Sequence, residues 1–241
     1  MGLFFCLGGG TPVISICLDL SSKCIGSTFA QTVGSDIKYI NTLPIVPNKP
    51  NGLDFGYTTK EPKPIDYRGA TFKGFLLPDE LQISKTEADK RNAEFKVFKH
   101  RMLLKDIGKQ VGKYIDKLKP DIIVIERNSS FGGTLTTKLL AEIAGGLYFY
   151  TGAKNIEFYD YNESTVRAFI RKSIPNVDRT AGLSDKMALD TKWEIYCRLK
   201  QYFEENHPGL LNFEGMTMDE SDSLATFYYL YKTVILPRSA T

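Results

Sequence analysis

The chain has 241 residues, of which 42% are hydrophobic and 24% charged, a composition typical of a globular domain with a sizeable core. No apolar stretch approaches the roughly 20 residues that a membrane-spanning helix requires, and the first residues lack the positive charge of a signal peptide. We therefore expect an intracellular, cytoplasmic protein without membrane attachment. The formal net charge of +3 is too small to indicate a nucleic-acid partner, and four cysteines without CxxC spacing and two histidines outside any motif argue against zinc and histidine chemistry.

The first part of the chain predicts strands and then a long connection. Residues 1–12 are expected to be a flexible lead-in. Apolar runs bounded by turn residues predict three strands over residues 13–18, 24–30 and 37–45, arranged as an antiparallel meander. Residues 47–85 are rich in proline and glycine, which predicts a long irregular insertion without a domain of its own.

Helices and strands alternate in the rest of the chain. Helical spacing of apolar residues predicts a long helix at 85–118. A strand at 122–126 and a helix after Gly133 follow, and then a strand at 156–159 and a short helix at 164–171. A helix after the N-cap Ser184 and a closing helix that carries Asp219 complete the order. This order predicts a mixed α/β fold in a single domain over residues 13–241.

Four acidic residues stand where a carboxylate is costly unless something requires it. Asp19 ends the first apolar run, Glu126 ends the run at 122–125, and Asp219 and Asp222 lie three apart ahead of another apolar run. Carboxyl ends of strands form the ligand-binding edge of α/β sheets, and residues at i and i+3 share one helix face. Because divalent cations such as Mg²⁺ prefer oxygen ligands, the four acids predict a two-metal site.

Each acid taken singly also has a purely structural interpretation. Asp19 could simply terminate a strand. Asp219 could be a helix N-cap, with Asp222 in the first helical turn, where the helix dipole favours negative charge. The joint pattern of two strand-end acids and a late acid pair favours a site.

Basic residues are concentrated in two parts of the sequence. Lysines, arginine and histidine crowd the helix predicted at 85–118, and a second cluster comprises Arg167, Arg171, Lys172 and Arg179. A solvated helix face explains the first cluster equally well. A basic surface beside an acidic pocket, however, is the combination that cleavage of a polyanion requires.

Three segments resemble one family in order and placement. VISICLDLSSKCIGS at 13–27, KPDIIVIERNSSFGG at 119–133 and MDESDSLATFYY at 218–229 resemble the RuvC-type Holliday junction resolvases of the RNase H-like superfamily. The resemblance implies an RNase H-like fold, with a mixed five-stranded sheet flanked by helices. It also implies an endonuclease that resolves branched DNA by two-metal-ion hydrolysis.

The resemblance assigns roles to particular residues. The metal ligands are expected to be Asp19, Glu126, Asp219 and Asp222, binding two Mg²⁺ per site, with Mn²⁺ able to substitute. The two catalytic-site lysines of the family align with Lys186 and Arg167, which would bind the scissile phosphate. The match at Arg167 is partial, because arginine offers a bidentate fork where lysine is a point charge. A surface charge on a helix remains an alternative for both residues.

Further expectations concern DNA contacts and assembly. The predicted DNA-binding residues are Phe131, Lys138, Arg171 and Lys172. Phe131 stands two positions from the aromatic residue of the family, and core packing explains it equally well. The helix after Gly133 corresponds to the dimer helix of the family, so we expect a homodimer. Its seam, or alternatively the core, would contain Leu135, Leu139, Leu140 and Ile143.

The sequence therefore predicts a structure-selective endonuclease that resolves four-way DNA junctions as a homodimer, with roles in DNA recombination and repair. Three alternatives remain: another RNase H-like nuclease that cleaves RNA–DNA hybrid, a junction-binding module that cleaves poorly, and an RNase H-fold ATPase. The ATPase ranks last, because it requires a glycine-rich phosphate loop after the first strand, where Leu20-Ser21-Ser22-Lys23 contains no glycine.

Overall fold

A computed structural model describes residues 11–20, 24–46, 56–57, 64–67, 70–73, 75–76, 85–127, 135–174 and 191–239. Contacts divide the chain into two compact units. One unit is formed by Met1–Val46 together with Val111–Thr241, and the other by Pro47–Gln110. The second unit begins where the sequence predicts an insertion, but it continues into the first long helix.

Outside residues 47–84 the strands and helices follow the predicted order, and the predicted N-cap Ser184 lies outside the described residues. The strands are β1 Pro12–Asp19, β2 Ile25–Val33, β3 Asp36–Ile45, β4 Gly56–Tyr57, β5 Pro64–Tyr67, β6 Ala70–Lys73, β7 Phe75–Leu76, β8 Ile122–Arg127 and β9 Glu157–Asn162. The helices are α1 Lys85–Leu118, α2 Leu135–Ala153, α3 Glu163–Ser173, α4 Thr191–Asn206, α5 Met218–Leu230 and α6 Leu236–Ser239. A π-helical turn, Tyr231–Ile235, joins α5 to α6.

The smaller unit contains short strands where the sequence predicts irregular structure. Strands β4 and β7 pair in parallel, and β5 and β6 pair antiparallel. These strands have two to four residues each, which is too short to produce the alternating pattern by which strands are recognised in a sequence. The density of proline and glycine around them reinforces the irregular interpretation.

The larger unit is built on one mixed sheet with the strand order β3-β2-β1-β8-β9. Strands β1, β2 and β3 are antiparallel neighbours, whereas β8 runs parallel to both β1 and β9. Gly34, with φ of +58°, occupies the β2–β3 turn in a backbone conformation that favours glycine. The predicted mixed five-stranded sheet flanked by helices is confirmed.

Helices cover both faces of this sheet. On one face α5 packs across β1, β2 and β8, with α3 and α4 packed against it. On the other face Phe29 of β2 contacts Tyr114 of α1, and Phe158 of β9 contacts Tyr148 of α2, with ring centroids 5.0 and 5.6 Å apart. Ten residues of α5 are buried, because this helix lies between the sheet and the other two helices. No helix in the described ranges is long and apolar enough to span a bilayer.

Candidate active site

Two of the predicted acids face each other across neighbouring strands. The register of the parallel pair β1–β8 places Asp19 directly beside Glu126, at the carboxyl ends of both strands. Strand side chains alternate between faces, so these carboxylates lie on the same face as Cys17 and Val124, which belong to the core under α5. Asp19 is 6% exposed and Glu126 is 5% exposed. The sheet therefore delivers two buried acids to one point beneath a helix.

The other two acids enter on the first turns of α5. The N-cap of α5 is Thr217, and Thr217 and Glu220 form a reciprocal capping box. The alternative interpretation of Asp219 as the N-cap is therefore wrong. Because Thr217 provides the cap, the side chain of Asp219 is not needed for it, and Asp219 lies in the first turn of α5. Asp222 lies about one turn further on and is 2% exposed.

A glycine on β2 sets how close α5 comes to the acidic strands. Gly26 is the register partner of Asp19, and a Cβ atom at Gly26 would lie 1.8 Å from the backbone oxygen of Asp219. Two residues further along β2 and one turn further along α5, the hydroxyls of Thr28 and Ser223 are hydrogen-bonded at 2.8 Å. The first turn of α5 therefore packs directly against the backbone of β2 at Gly26, which brings Asp219 next to Asp19.

Two basic side chains meet the acids at Asp222. The guanidinium of Arg167 on α3 donates to one carboxylate oxygen at 3.2 Å, and the ammonium of Lys192 on α4 donates to the other at 2.5 Å. Arg167 also forms an ion pair with Glu163, one turn earlier on α3. Both oxygens of a nearly fully buried carboxylate are therefore bound by cations from two separate helices.

Burial and mutual repulsion raise the pKa values of the strand-end acids. Loss of solvent, followed by the nearby charge of Asp222, raises the pKa of Asp19 from 3.8 to about 7. Loss of solvent, followed by the charge of Asp19, raises the pKa of Glu126 from 4.5 to about 9. Burial alone would lower the pKa of Lys192, but the hydrogen bond and charge of Asp222 raise it overall. The site holds more negative charge than its surroundings stabilise.

The donor set suits a hard divalent cation, although the side chains are not arranged as a finished metal site. Among the residues that the structure describes, no three His, Cys, Asp or Glu side chains are grouped closely enough to hold a metal ion. Asp19, Glu126, Asp219 and Asp222 nevertheless offer the carboxylate oxygens that Mg²⁺ and Mn²⁺ prefer, in a region where negative charge is in excess. A metal ion that binds Asp222 has to share this carboxylate with the two basic side chains or displace them.

One basic residue at the site was not identified from the sequence. The predicted phosphate ligand Lys186 and the predicted aromatic Phe131 lie outside the described residues. Lys192, six positions after Lys186, is the lysine that contacts the acids. It stands three and seven residues before Ile195 and Leu199, which are fully buried. A lysine in line with the buried stripe of a helix is the signal that could have identified it.

The remaining predicted contact residues are spread over two helices. Lys138 is exposed on α2, and Arg171 and Lys172 are exposed at the end of α3, where Arg171 is paired with Glu194 at 3.1 Å. In the predicted seam Ile143 is buried and therefore belongs to the core, and Leu140 is half-buried. The side chains of Leu135 and Leu139 lie outside the described set.

Comparisons with known proteins add similar folds but no close relative. No protein-family model and no curated protein matches the chain. Similar solved structures include Thermus thermophilus RuvC in complex with a Holliday junction substrate (9% identity, 92% of this chain and 98% of that chain, TM-score 0.49). They also include Thermus thermophilus RuvC alone (12%, 92% and 98%, TM-score 0.47) and the yeast mitochondrial Holliday junction resolvase Ydc2 (13%, 95% and 84%, TM-score 0.41). At these identities and TM-scores, a conclusion about activity has to come from the site itself.

Proposed function

We propose that this protein is a metal-dependent endonuclease that resolves four-way DNA junctions. The observation that carries the proposal is the pairing of Asp19 and Glu126 at the ends of adjacent parallel strands, directly beneath the helix that carries Asp219 and Asp222. Buried carboxylates at such a density are expensive for a fold unless they bind cations. Coordination of the metal ions used in phosphodiester hydrolysis would offset the free-energy cost of burying these carboxylates.

In this proposal the four acids hold two Mg²⁺ ions, or Mn²⁺ in their place. When bound, the ions supply an activated water and stabilise the leaving oxygen of the broken bond. Burial, followed by mutual repulsion, raises the pKa values of Asp19 and Glu126, and a bound metal ion would offset both effects by stabilising the ionised carboxylates. As a metal ligand, Asp222 would give up at least one of its ion pairs with Arg167 and Lys192.

Arg167 and Lys192 are assigned to the scissile phosphate. Both are within hydrogen-bonding distance of Asp222, so each is already placed at the centre of the acids. Either basic side chain, once released from Asp222, can bind a phosphate oxygen and offset the charge that develops in the transition state. We assign this phosphate contact to Lys192, and the role of Lys186, which lies outside the described residues, stays a prediction.

The substrate class rests on the three ordered motifs that resemble RuvC-type resolvases and on the distribution of positive charge. Lys138 on α2 and Lys172 on α3 are exposed and available to phosphate groups. Contacts of this kind recognise backbone shape, so affinity should fall steeply with salt. Roles in DNA recombination and repair follow from this substrate, and an intracellular location is consistent with the free, buried thiol of Cys17.

A homodimer would present two such sites to opposite strands of a junction. The outer face of α2 supports this assembly, because Phe149 is 82% exposed. A Cβ atom at Gly145 or Gly152, one turn before and one turn after Phe149, would meet no atom within 4 Å. This face therefore offers a large apolar side chain between two shallow positions, a shape that can match a second copy of itself. Light scattering should report about twice 27.1 kDa, and Phe149→Asp should halve that mass.

The test of the proposed function is a cleavage assay on a synthetic four-way junction, with linear duplex and RNA–DNA hybrid as competing substrates. Wild type and Asp19→Asn are compared with Mg²⁺ and with Mn²⁺. Paired, symmetric nicks are expected in the junction, and Asp19→Asn should reduce their rate by roughly a thousandfold or more while junction binding persists.

Other outcomes lead to different functions. Preferential cleavage of the hybrid would make the protein an RNase H. Tight junction binding without cleavage by the wild type would make it a binding module. Full cleavage by Asp19→Asn would remove the proposed role of the acids.

A further inference from the structure

A second group of charged side chains lies between the helices that carry Arg167 and Lys192. Both oxygens of Glu194 on α4 are bound by arginines. Arg171 of α3 donates to one oxygen at 3.1 and 3.2 Å, and Arg198 of α4 approaches the other at 3.0 and 3.1 Å. Glu194 is 7% exposed and Arg198 is 5% exposed, so their charges are compensated within the fold.

This group, Arg171–Glu194–Arg198, joins the end of α3 to the start of α4. Arg198 also donates to the backbone oxygen of Ile174, the C-cap residue of α3. Arg171 lies one turn after Arg167 on α3, and Glu194 lies two residues after Lys192 on α4. Each helix therefore carries one residue of this group within about a turn of the basic residue that reaches Asp222.

We infer that Glu194 is a positioning residue for the two basic side chains of the site. By holding α3 against α4 it fixes the separation at which Arg167 and Lys192 approach Asp222 from two sides. Long basic side chains lose considerable rotamer freedom when they are ordered. Because the helix positions of Arg167 and Lys192 are fixed, each side chain has less conformational entropy left to lose when it binds the phosphate. The effect on cleavage rests on the proposed function, whereas the effect on the helix geometry does not.

The test compares Glu194→Gln with Glu204→Gln. Both substitutions neutralise a glutamate on α4 that is ion-paired to a basic residue four positions away, but the Lys200–Glu204 pair is exposed, with an N–O distance of 3.8 Å. Glu194→Gln should slow single-turnover cleavage by roughly ten- to hundredfold, with the substrate concentration for half-maximal rate nearly unchanged. Glu204→Gln should cleave like the wild type.

A triple variant separates positioning from general destabilisation. If Glu194 acts through the basic pair, Glu194→Gln should slow cleavage no further in a variant that already lacks both side chains, Arg167→Ala combined with Lys192→Ala. Multiplying effects in the triple variant, or wild-type rates for Glu194→Gln, would overturn the inference. Should Glu194→Gln fail to fold, Arg171→Met removes only the exposed half of the group and should give the same non-additive pattern.

A spectroscopic readout tests the helix geometry without any substrate. The single tryptophan, Trp193, lies between Lys192 and Glu194 and stacks on Tyr196, with ring centroids 4.9 Å apart. Acrylamide should quench its fluorescence more strongly in Glu194→Gln than in the wild type or Glu204→Gln. If the wild type cleaves no junction, the proposed function fails while this measurement still decides whether Glu194 holds the start of α4. Equal quenching in all three proteins would refute the positioning role.

Discussion

The acids of the site and its basic residues are held in place by different kinds of contact. Asp19 and Glu126 are positioned by the hydrogen-bonded register of two strands, and Asp219 by direct contact of its backbone with Gly26. Arg167 and Lys192 reach the site on side chains from separate helices. We refer to the four acids as the acidic half and to these two cations as the basic half.

The difference shows which half tolerates change. Register and backbone packing have discrete arrangements, so the acidic half is either assembled or displaced as a whole. Side-chain ion pairs can weaken by degrees, and either cation can adjust to a new partner. A rigid acidic half next to an adaptable basic half suits a reaction in which metal ligands stay fixed while phosphate contacts change.

After Asp19→Asn, the largest expected effect comes from displacing the acidic half at Gly26. Gly26→Ala places a methyl group 1.8 Å from the backbone of Asp219, so the first turn of α5 has to move. We expect a loss of about 1–3 kcal/mol of stability, measured by chemical denaturation. Cleavage should fall by roughly a hundredfold or more, because displacement by about 1 Å is sufficient for such a loss.

Gly112→Ala is the matched control for this substitution. A Cβ atom at Gly112 on α1 would meet no atom within 4 Å, and alanine favours a helix by up to about 1 kcal/mol over glycine. Gly112→Ala should therefore cleave normally and be as stable as the wild type or slightly more so. Normal cleavage by Gly26→Ala would show that the backbone contact does not position the acids.

Breaking the basic half should have a smaller and more graded effect. Lys192→Ala removes one of the two cations at Asp222 and should slow the chemical step by roughly ten- to hundredfold, since Arg167 remains. Single-turnover kinetics and junction titrations separate this step from binding. Lys200→Ala, on the same helix, is the control and should behave as the wild type. Weaker junction binding at an unchanged chemical rate would reduce Lys192 to a surface contact.

The smallest expected effect is a change in how the stability of the protein depends on pH. Because folding raises the pKa of Glu126 from 4.5 to about 9, its contribution to stability is fully present below about pH 4.5 and is lost as the pH rises towards 9. Glu126→Gln should therefore stabilise the protein at pH 8, and recovering even one pKa unit of the shift corresponds to about 1.4 kcal/mol. Thermal denaturation at pH 5 and pH 8 measures this gain.

The gain from Glu126→Gln should shrink at pH 5, close to the unfolded-state pKa of 4.5, because protonating the carboxyl on folding costs little there. Glu157→Gln provides a contrast, because the bidentate ion pair with Arg238 lowers the pKa of Glu157. That substitution should give no gain at pH 8. A stabilisation by Glu126→Gln that is equal at both pH values would contradict a Glu126 pKa that burial and the neighbouring acids raise.

Much of the acidic half was predictable from the sequence. Apolar runs that end in Asp19 and Glu126 specify buried strands with a carboxylate at the carboxyl end, because burial and strand length are local properties of a sequence. The spacing of Asp219 and Asp222 likewise places both on nearby turns of one helix. Bounds of the long helix and the mixed α/β order follow from periodicity for the same reason.

The tertiary structure alone decided the contacts between segments that are distant along the chain. Arg167 meets Asp222 across 55 residues, and nothing local to either residue specifies that meeting. The same holds for the contact of Gly26 with Asp219, the contact of Lys192 with Asp222 and the ion pairs of Glu194. Local sequence determines which face of a strand or helix is apolar, but which residues face each other depends on how the helices cross and how closely they approach the sheet.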